Sequence, residues 1–184
     1  MRIIGGTLRR KRLHPLRGLT IRPTSDYLRE SIFNILAHRV KDAVVLDLYA
    51  GTGSLGIEAL SRGAASAVFV DNHIQSVRSL AKNISACGLE DRSTVVRQDI
   101  FRGLGLLRAL DRAFDLVFMD PPYNKGCVER TMHVLDGSGC LAQEAWLVIE
   151  HSVQEVLREK VGPFEKIDRR QKGKTVVSFY RSVL

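Results

Sequence analysis

The 184-residue sequence predicts an α/β fold. Its centre is a doubly wound, mostly parallel sheet of seven strands closed by a C-terminal antiparallel hairpin, with a small amino-terminal β-hairpin and helix in front. Three observations predict it. From residue 43 onward, short apolar runs alternate with stretches of helical periodicity. The first of these runs ends in a glycine-rich turn, and acidic residues close several of the others. The last segment changes pattern, to two extended stretches about a basic turn.

Each element follows from its own residues. Residues 2–22 carry short apolar pieces (Ile3-Ile4, Leu13, Leu16, Leu19–Ile21) broken by Gly5-Gly6, His14-Pro15 and Gly18, the pattern of a hairpin and a loop. Ser25 or Asp26 caps a helix over Tyr27–His38, where Leu28, Ile32, Ile35 and Leu36 recur at helical spacing. Ala43–Leu48 is apolar apart from Asp47 and reads as a buried parallel strand. A helix over Ser54–Arg62, a strand over Ala67–Val70 and a helix over His73–Ala86 follow, the last with Ile74, Val77, Leu80 and Ile84 on one face. Strand Thr94–Arg97 precedes a weaker helical stretch over Leu104–Leu110. Strand Phe114–Met119 precedes a helix marked by Val128, Met132 and Leu135, and strand Trp146–Glu150 precedes a short helix over Val153–Lys160. Phe164–Asp168 and Thr175–Tyr180, about a turn containing Gly173, form the closing hairpin. Residues 1–40 thus form a basic extension and 41–184 the main domain.

Composition narrows the class. No apolar run reaches the ~18 residues that cross a bilayer, and no signal-peptide core follows the early basic residues. Three scattered cysteines (Cys87, Cys127, Cys140) and no CxxC point to a reduced, cytoplasmic setting. The five histidines are scattered too, so no metal site is expected. The net charge of +8 lies at the ends: residues 1–25 carry +7 and residues 158–184 carry +5, leaving −4 for the middle. Basic ends on a mildly acidic body suit a polyanionic partner.

The glycine turn reads Asp47-Leu48-Tyr49-Ala50-Gly51-Thr52-Gly53-Ser54-Leu55-Gly56, with Asp71 closing the next strand. The G-x-G-x-x-G spacing also fits a dinucleotide site. Asp47 separates the two readings, because a carboxylate before the glycines repels pyrophosphate but holds the ammonium of S-adenosylmethionine. The expected cofactor set is therefore Asp47, Tyr49, Ala50, Gly51, Thr52 and Gly53, with Asp71 and Asn72 for the ribose and Asp99 and Ile100 for the adenine.

Asp120-Pro121-Pro122-Tyr123 follows the strand Leu116–Met119. An exocyclic base amine is a poor nucleophile, since its lone pair is delocalised into the ring. The Asp120 carboxylate and the Pro121 carbonyl can accept its hydrogens and free that pair, while Pro121 and Pro122 fix the backbone direction. Tyr123 offers a stacking face for an extruded base.

These motifs resemble the RsmD family, which methylates N2 of a guanine in bacterial small-subunit ribosomal RNA. The likeness runs through Arg2-Ile3-Ile4-Gly5-Gly6, Arg22-Pro23-Thr24-Ser25-Asp26, Arg29-Glu30, Phe33-Asn34, Leu46–Gly56, Glu58–Ala64 and Asp120–Tyr123. Two positions depart from the family pattern: Tyr27 stands where a basic residue is usual, and Asp71 where a glutamate is. The resemblance implies a Rossmann-like class I methyltransferase, monomeric, that flips a base of ribosomal RNA in an assembling small subunit. Arg9, Arg10, Lys11, Arg12, Arg17, Arg22 and Arg29 are the expected RNA contacts. The competing readings are a DNA or RNA adenine/cytosine amino-methyltransferase, an NAD-dependent oxidoreductase, and a non-catalytic RNA-binding assembly factor.

Overall fold

The computed structural model describes residues 1–16, 25–110 and 112–183. Five strands run parallel: β1 (Val44–Leu48), β2 (Ser66–Asp71), β3 (Ser93–Arg97), β4 (Phe114–Met119) and β5 (Leu141–Ser152). Three more, β6 (Lys160–Val161), β7 (Phe164–Lys172) and β8 (Thr175–Ser182), continue the sheet antiparallel, in the spatial order β3-β2-β1-β4-β5-β8-β7-β6. The helices are α1 (Asp26–Leu36), α2 (Ser54–Ser61), α3 (Ile74–Cys87), α4 (Gly105–Arg108) and α5 (Cys127–Asp136).

The sheet thus has eight strands rather than the seven expected, and the helix expected over 153–160 does not form. Its apolar spacing does not mark one buried face, since Val156 is 90% exposed while Leu157 is buried. Neighbouring backbone captures the segment instead. Val153 donates its N–H to the Lys174 carbonyl at 2.9 Å, and the Glu159 carbonyl accepts from the Lys166 N–H at 2.8 Å. Two residues further on, Val161 pairs with Phe164 to begin a hairpin. A short apolar stretch beside an open sheet edge follows its partners rather than its periodicity.

Helices cover both faces, which is why the central strands are apolar throughout. Along β1, Val45 shares one apolar cluster with Phe33 of α1, Ile57 of α2, Leu80 of α3 and Phe118 of β4, whereas Leu46 shares the other with Met132 of α5 and Val117 of β4. Successive residues point to opposite faces, so one five-residue strand serves two cores.

Residues 1–13 form a hairpin bridged at Arg2 and Arg12, with Ile3 donating its N–H to the Lys11 carbonyl at 2.9 Å. Ile3 and Leu13 pack into the same apolar cluster as Leu28, Ile32 and Phe33 of α1. The fully buried Glu58 of α2 pins the hairpin: its carboxylate accepts the Ile4 N–H at 2.8 Å, the Gly5 N–H at 2.7 Å and the Arg62 Nε–H at 2.8 Å. Ser25 caps α1 by accepting the Leu28 N–H at 3.3 Å.

Candidate active site

The sheet reverses its winding between β1 and β4, so a crevice opens at the carboxyl ends of these strands. Asp47 lies there almost fully buried, accepting the Gly56 N–H at 2.9 Å. Burial pushes its carboxyl up to about 8; the Gly56 hydrogen bond opposes this and the Asp71 charge adds to it. Gly56 is needed for close packing, since a Cβ there would lie 2.3 Å from Cε1 of Phe69. Gly51 is needed for a different reason. Its φ is +56°, and a Cβ there would approach nothing nearer than the Tyr49 carbonyl at 3.8 Å and Leu16 Cδ1 at 3.9 Å.

Asp71 fastens this loop to β2, accepting the Gly51 N–H at 2.9 Å and the His73 N–H at 2.8 Å. Each carboxylate oxygen has a second lone pair, enough for ribose hydroxyls. Asp99, just past β3, accepts the Phe101 N–H at 3.0 Å. Carboxylates near the carboxyl ends of β1 and β2 and just past β3 therefore share one rim with the glycine loop. That set of acceptors fits the donors of an ammonium, a diol and an amine, the polar groups of S-adenosylmethionine.

The other expected cofactor residues divide. Ala50 and Thr52 lie in the loop, and the Thr52 carbonyl accepts from Asn83 Nδ2 at 2.9 Å. Tyr49 has φ +59°, uncommon for a non-glycine residue, and its hydroxyl meets Thr131 of α5 at 2.6 Å. Its side chain braces the loop from the α5 face. Asn72 is exposed beside Asp71, and Ile100 is buried in the cluster beneath α4 and α5.

Met119 pairs with Leu48, so Asp120 emerges beside the glycine loop. Burial, then the charges of Glu150 and Asp47, hold the Asp120 carboxyl well above the usual carboxylate range. Pro121 is buried and Pro122 exposed. The Tyr123 hydroxyl donates to Glu150 Oε1 at 2.7 Å, and burial followed by the Glu150 charge pushes its ionisation far up. Glu150 is 4% exposed and was not anticipated from the sequence. The signal was present: an acid in an apolar parallel strand near its carboxyl end, like Asp47 in β1.

The amino-terminal basic run has a different location. Arg9, Arg10, Lys11 and Arg12 are all exposed, and the Lys11 charge acts on the Cys87 thiol at the far end of α3. A 14-residue helix places that end about 20 Å from its start near the rim. Arg29 is corrected. It is fully buried, donating from Nη2 to the Arg2 carbonyl at 2.7 Å and to Asp26 Oδ1 at 2.8 Å, so it ties α1 to the hairpin rather than facing a partner. Arg17 and Arg22 lie outside the described residues.

Comparison with known proteins agrees with this fold. The model of the family described as conserved hypothetical protein 95 matches residues 1–181. The chain is 36% identical over 157 residues to the ribosomal RNA small subunit methyltransferase D of Escherichia coli (strain K12), covering 85% of this chain and 77% of that protein. The solved structure of yhhF from Escherichia coli superposes with a TM-score of 0.83 at 33% identity, over 99% of this chain and 97% of that one. An RNA methyltransferase from Salinibacter ruber, solved with S-adenosyl-L-homocysteine, shares the fold at 16% identity, with a TM-score of 0.66 over 88% of this chain and 94% of that one. No helix among the described residues is long and apolar enough to cross a membrane. The chain belongs to the conserved hypothetical protein 95 family, the RsmD methyltransferase family that its motifs resemble.

Proposed function

We propose that this protein transfers a methyl group from S-adenosylmethionine to the exocyclic N2 amine of a guanine in small-subunit ribosomal RNA, flipped into the Asp120–Tyr123 pocket. The observation that carries the reading is the placement of Asp120. It is an acceptor-bearing turn beside the glycine cradle, backed by a second buried carboxylate, Glu150, that holds Tyr123.

Asp47 binds the ammonium, Asp71 the ribose and Asp99 the adenine. The bound cofactor supplies the methyl group as an electrophilic sulfonium. Asp120 and the Pro121 carbonyl accept the two amine hydrogens, which turns the nitrogen lone pair toward the methyl carbon. Tyr123, anchored through its hydroxyl, keeps the base plane fixed, so rate comes mainly from orientation. The nitrogen that has gained the methyl would be cationic and would pass a proton to the hydrogen-bonded Asp120 carboxylate. The substrate class follows from relatives named as ribosomal RNA small subunit methyltransferases.

Incubation of purified small subunits and their free RNA with labelled cofactor, followed by nucleoside digestion, tests the reading. N2-methylguanosine is expected. Release of N6-methyladenosine would replace it with the adenine/cytosine amino-methyltransferase alternative.

A further inference from the structure

The border of the pocket beyond Tyr123 is made by the tip of the C-terminal hairpin. Thr175, the first residue of β8, shares a side-chain hydrogen bond with Tyr123. It pairs with Ser152 of β5 on one side and with Lys172 of β7 on the other. Residues directly opposed in an antiparallel pair share a face of the sheet. Lys172 therefore leaves the sheet on the side of Thr175, and its Nζ lies 4.3 Å from the centroid of the Tyr27 ring. Tyr27, in the first turn of α1, is 64% exposed. Lys174 and Arg170 are exposed on the same tip.

This border answers an electrostatic difficulty. Asp47, Asp120 and Glu150 line the crevice with acidic groups, so the pocket itself offers a phosphate backbone no cation. The amino-terminal run cannot supply one locally, because Lys11 lies at the far end of α3. Among the described residues, the hairpin tip brings exposed cations to the border of the pocket beyond Tyr123. An exposed ring with an ammonium over one face has the make-up of a single-strand contact, in which the ring stacks on any base and the cation takes its phosphate. A base drawn out of its stack leaves a neighbour unstacked and in need of such a surface.

We propose that Tyr27 and Lys172 form a platform for the RNA nucleotide flanking the target, Tyr27 stacking on its base and Lys172, with Lys174, holding its phosphate. The proposal rests on the reading that the pocket takes a base of RNA, and adds a second contact point that the catalytic motifs do not contain.

Tyr27→Ala, Tyr27→Phe, Lys172→Ala and Lys172→Arg variants test it, by methyl transfer to small-subunit RNA and by binding of a short single-stranded RNA across a salt series. Tyr27→Ala is expected to raise KM about tenfold with kcat little changed, as for loss of one stacked base, while Tyr27→Phe stays near wild type. Lys172→Ala is expected to flatten the plot of log affinity against log salt by about 0.7, the value of one single-strand phosphate contact, and Lys172→Arg to restore it. Wild-type KM and salt slope in both alanine variants would overturn the platform. So would a Tyr27→Ala defect confined to cofactor affinity. Absence of methyl transfer by the wild type would instead overturn the underlying reading, while the binding series still reports on the platform.

Discussion

Asp47 and Asp120 stand on neighbouring strands with opposite duties, one toward the cofactor ammonium and one toward the target amine. Asp47→Ala is expected to abolish cofactor binding. Asp120→Ala is expected to leave binding measurable and to lower turnover about 10²–10³-fold, the scale of losing one oriented polar contact at a reacting centre. Calorimetry with single-turnover kinetics checks both, and normal turnover in Asp120→Ala would exclude its assigned role. A titration follows from the same pair. With the Asp47 carboxyl raised to about 8 by burial, the free protein holds a proton there at pH 7 that a bound ammonium must displace. Cofactor binding at pH 7 should therefore release a proton and tighten as pH rises toward 8. Calorimetric titration in buffers of different ionisation enthalpy measures that release, and Asp47→Asn should abolish it. Both aspartates are legible in the sequence, because each stands at the edge of a glycine- or proline-marked turn. Glu150 is legible only as an acid near the end of an apolar strand; its role needs Tyr123 placed against it.

At the scale of elements, the amino-terminal hairpin depends on one buried carboxylate. Removing Glu58 leaves two backbone N–H groups without their acceptor and Arg62 without its partner. Glu58→Ala is expected to cost about 3–5 kcal/mol and to release hydrogen-exchange protection at Ile4 and Gly5 before the sheet opens. Retained protection there would show that apolar packing of Ile3 and Leu13 holds the hairpin alone. The hairpin also presents Arg9, Arg10, Lys11 and Arg12. Alanine at all four should weaken RNA binding and reduce the salt slope by about two to three, with cofactor affinity unchanged; an unreduced slope would leave the run without a role in binding. The location of this run, toward the far end of α3, fits a grip on RNA well away from the target base. Its exposure could be anticipated from four successive charges, but its distance from the rim could not. Arg29 illustrates the reverse case: its charge suggests a surface contact, and only packing shows it closed between Asp26 and the Arg2 carbonyl.

For the whole molecule, the buried carboxylates make cofactor-free stability depend on pH. A carboxyl whose folded value is raised binds a proton in the folded state that the unfolded chain releases near its ordinary value of about 4. Stability from this source is therefore lost as pH rises from about 4 toward 8. His151, held below its usual value by burial and next by its hydrogen bond to the Ser152 carbonyl acting the other way, destabilises only as pH falls through about 6.5. Between pH 6.5 and 8 the carboxylates dominate, so the thermal midpoint of the free protein should fall. Saturating cofactor should flatten that fall by giving Asp47 a cationic partner. A midpoint that rises with pH across this window would contradict the assignment.

The sequence by itself determined the order of strands and helices in the parallel half, the glycine loop with its flanking acids, and the Asp120–Tyr123 turn. These depend on local periodicity and on residue types that a tight turn requires, and such information lies within a few neighbouring residues. Tertiary structure decided what depends on partners distant in the chain. Residues 153–160 yielded helical spacing to backbone hydrogen bonds, Val153 donating to the Lys174 carbonyl and Glu159 accepting from the Lys166 N–H. Glu58 and Arg29 became the fastenings of the hairpin. Glu150 joined Tyr123 across 27 residues, and Lys172 came to rest on Tyr27. Burial and charge at these contacts belong to the assembled sheet, because only there do segments far apart in sequence share one low-dielectric surface.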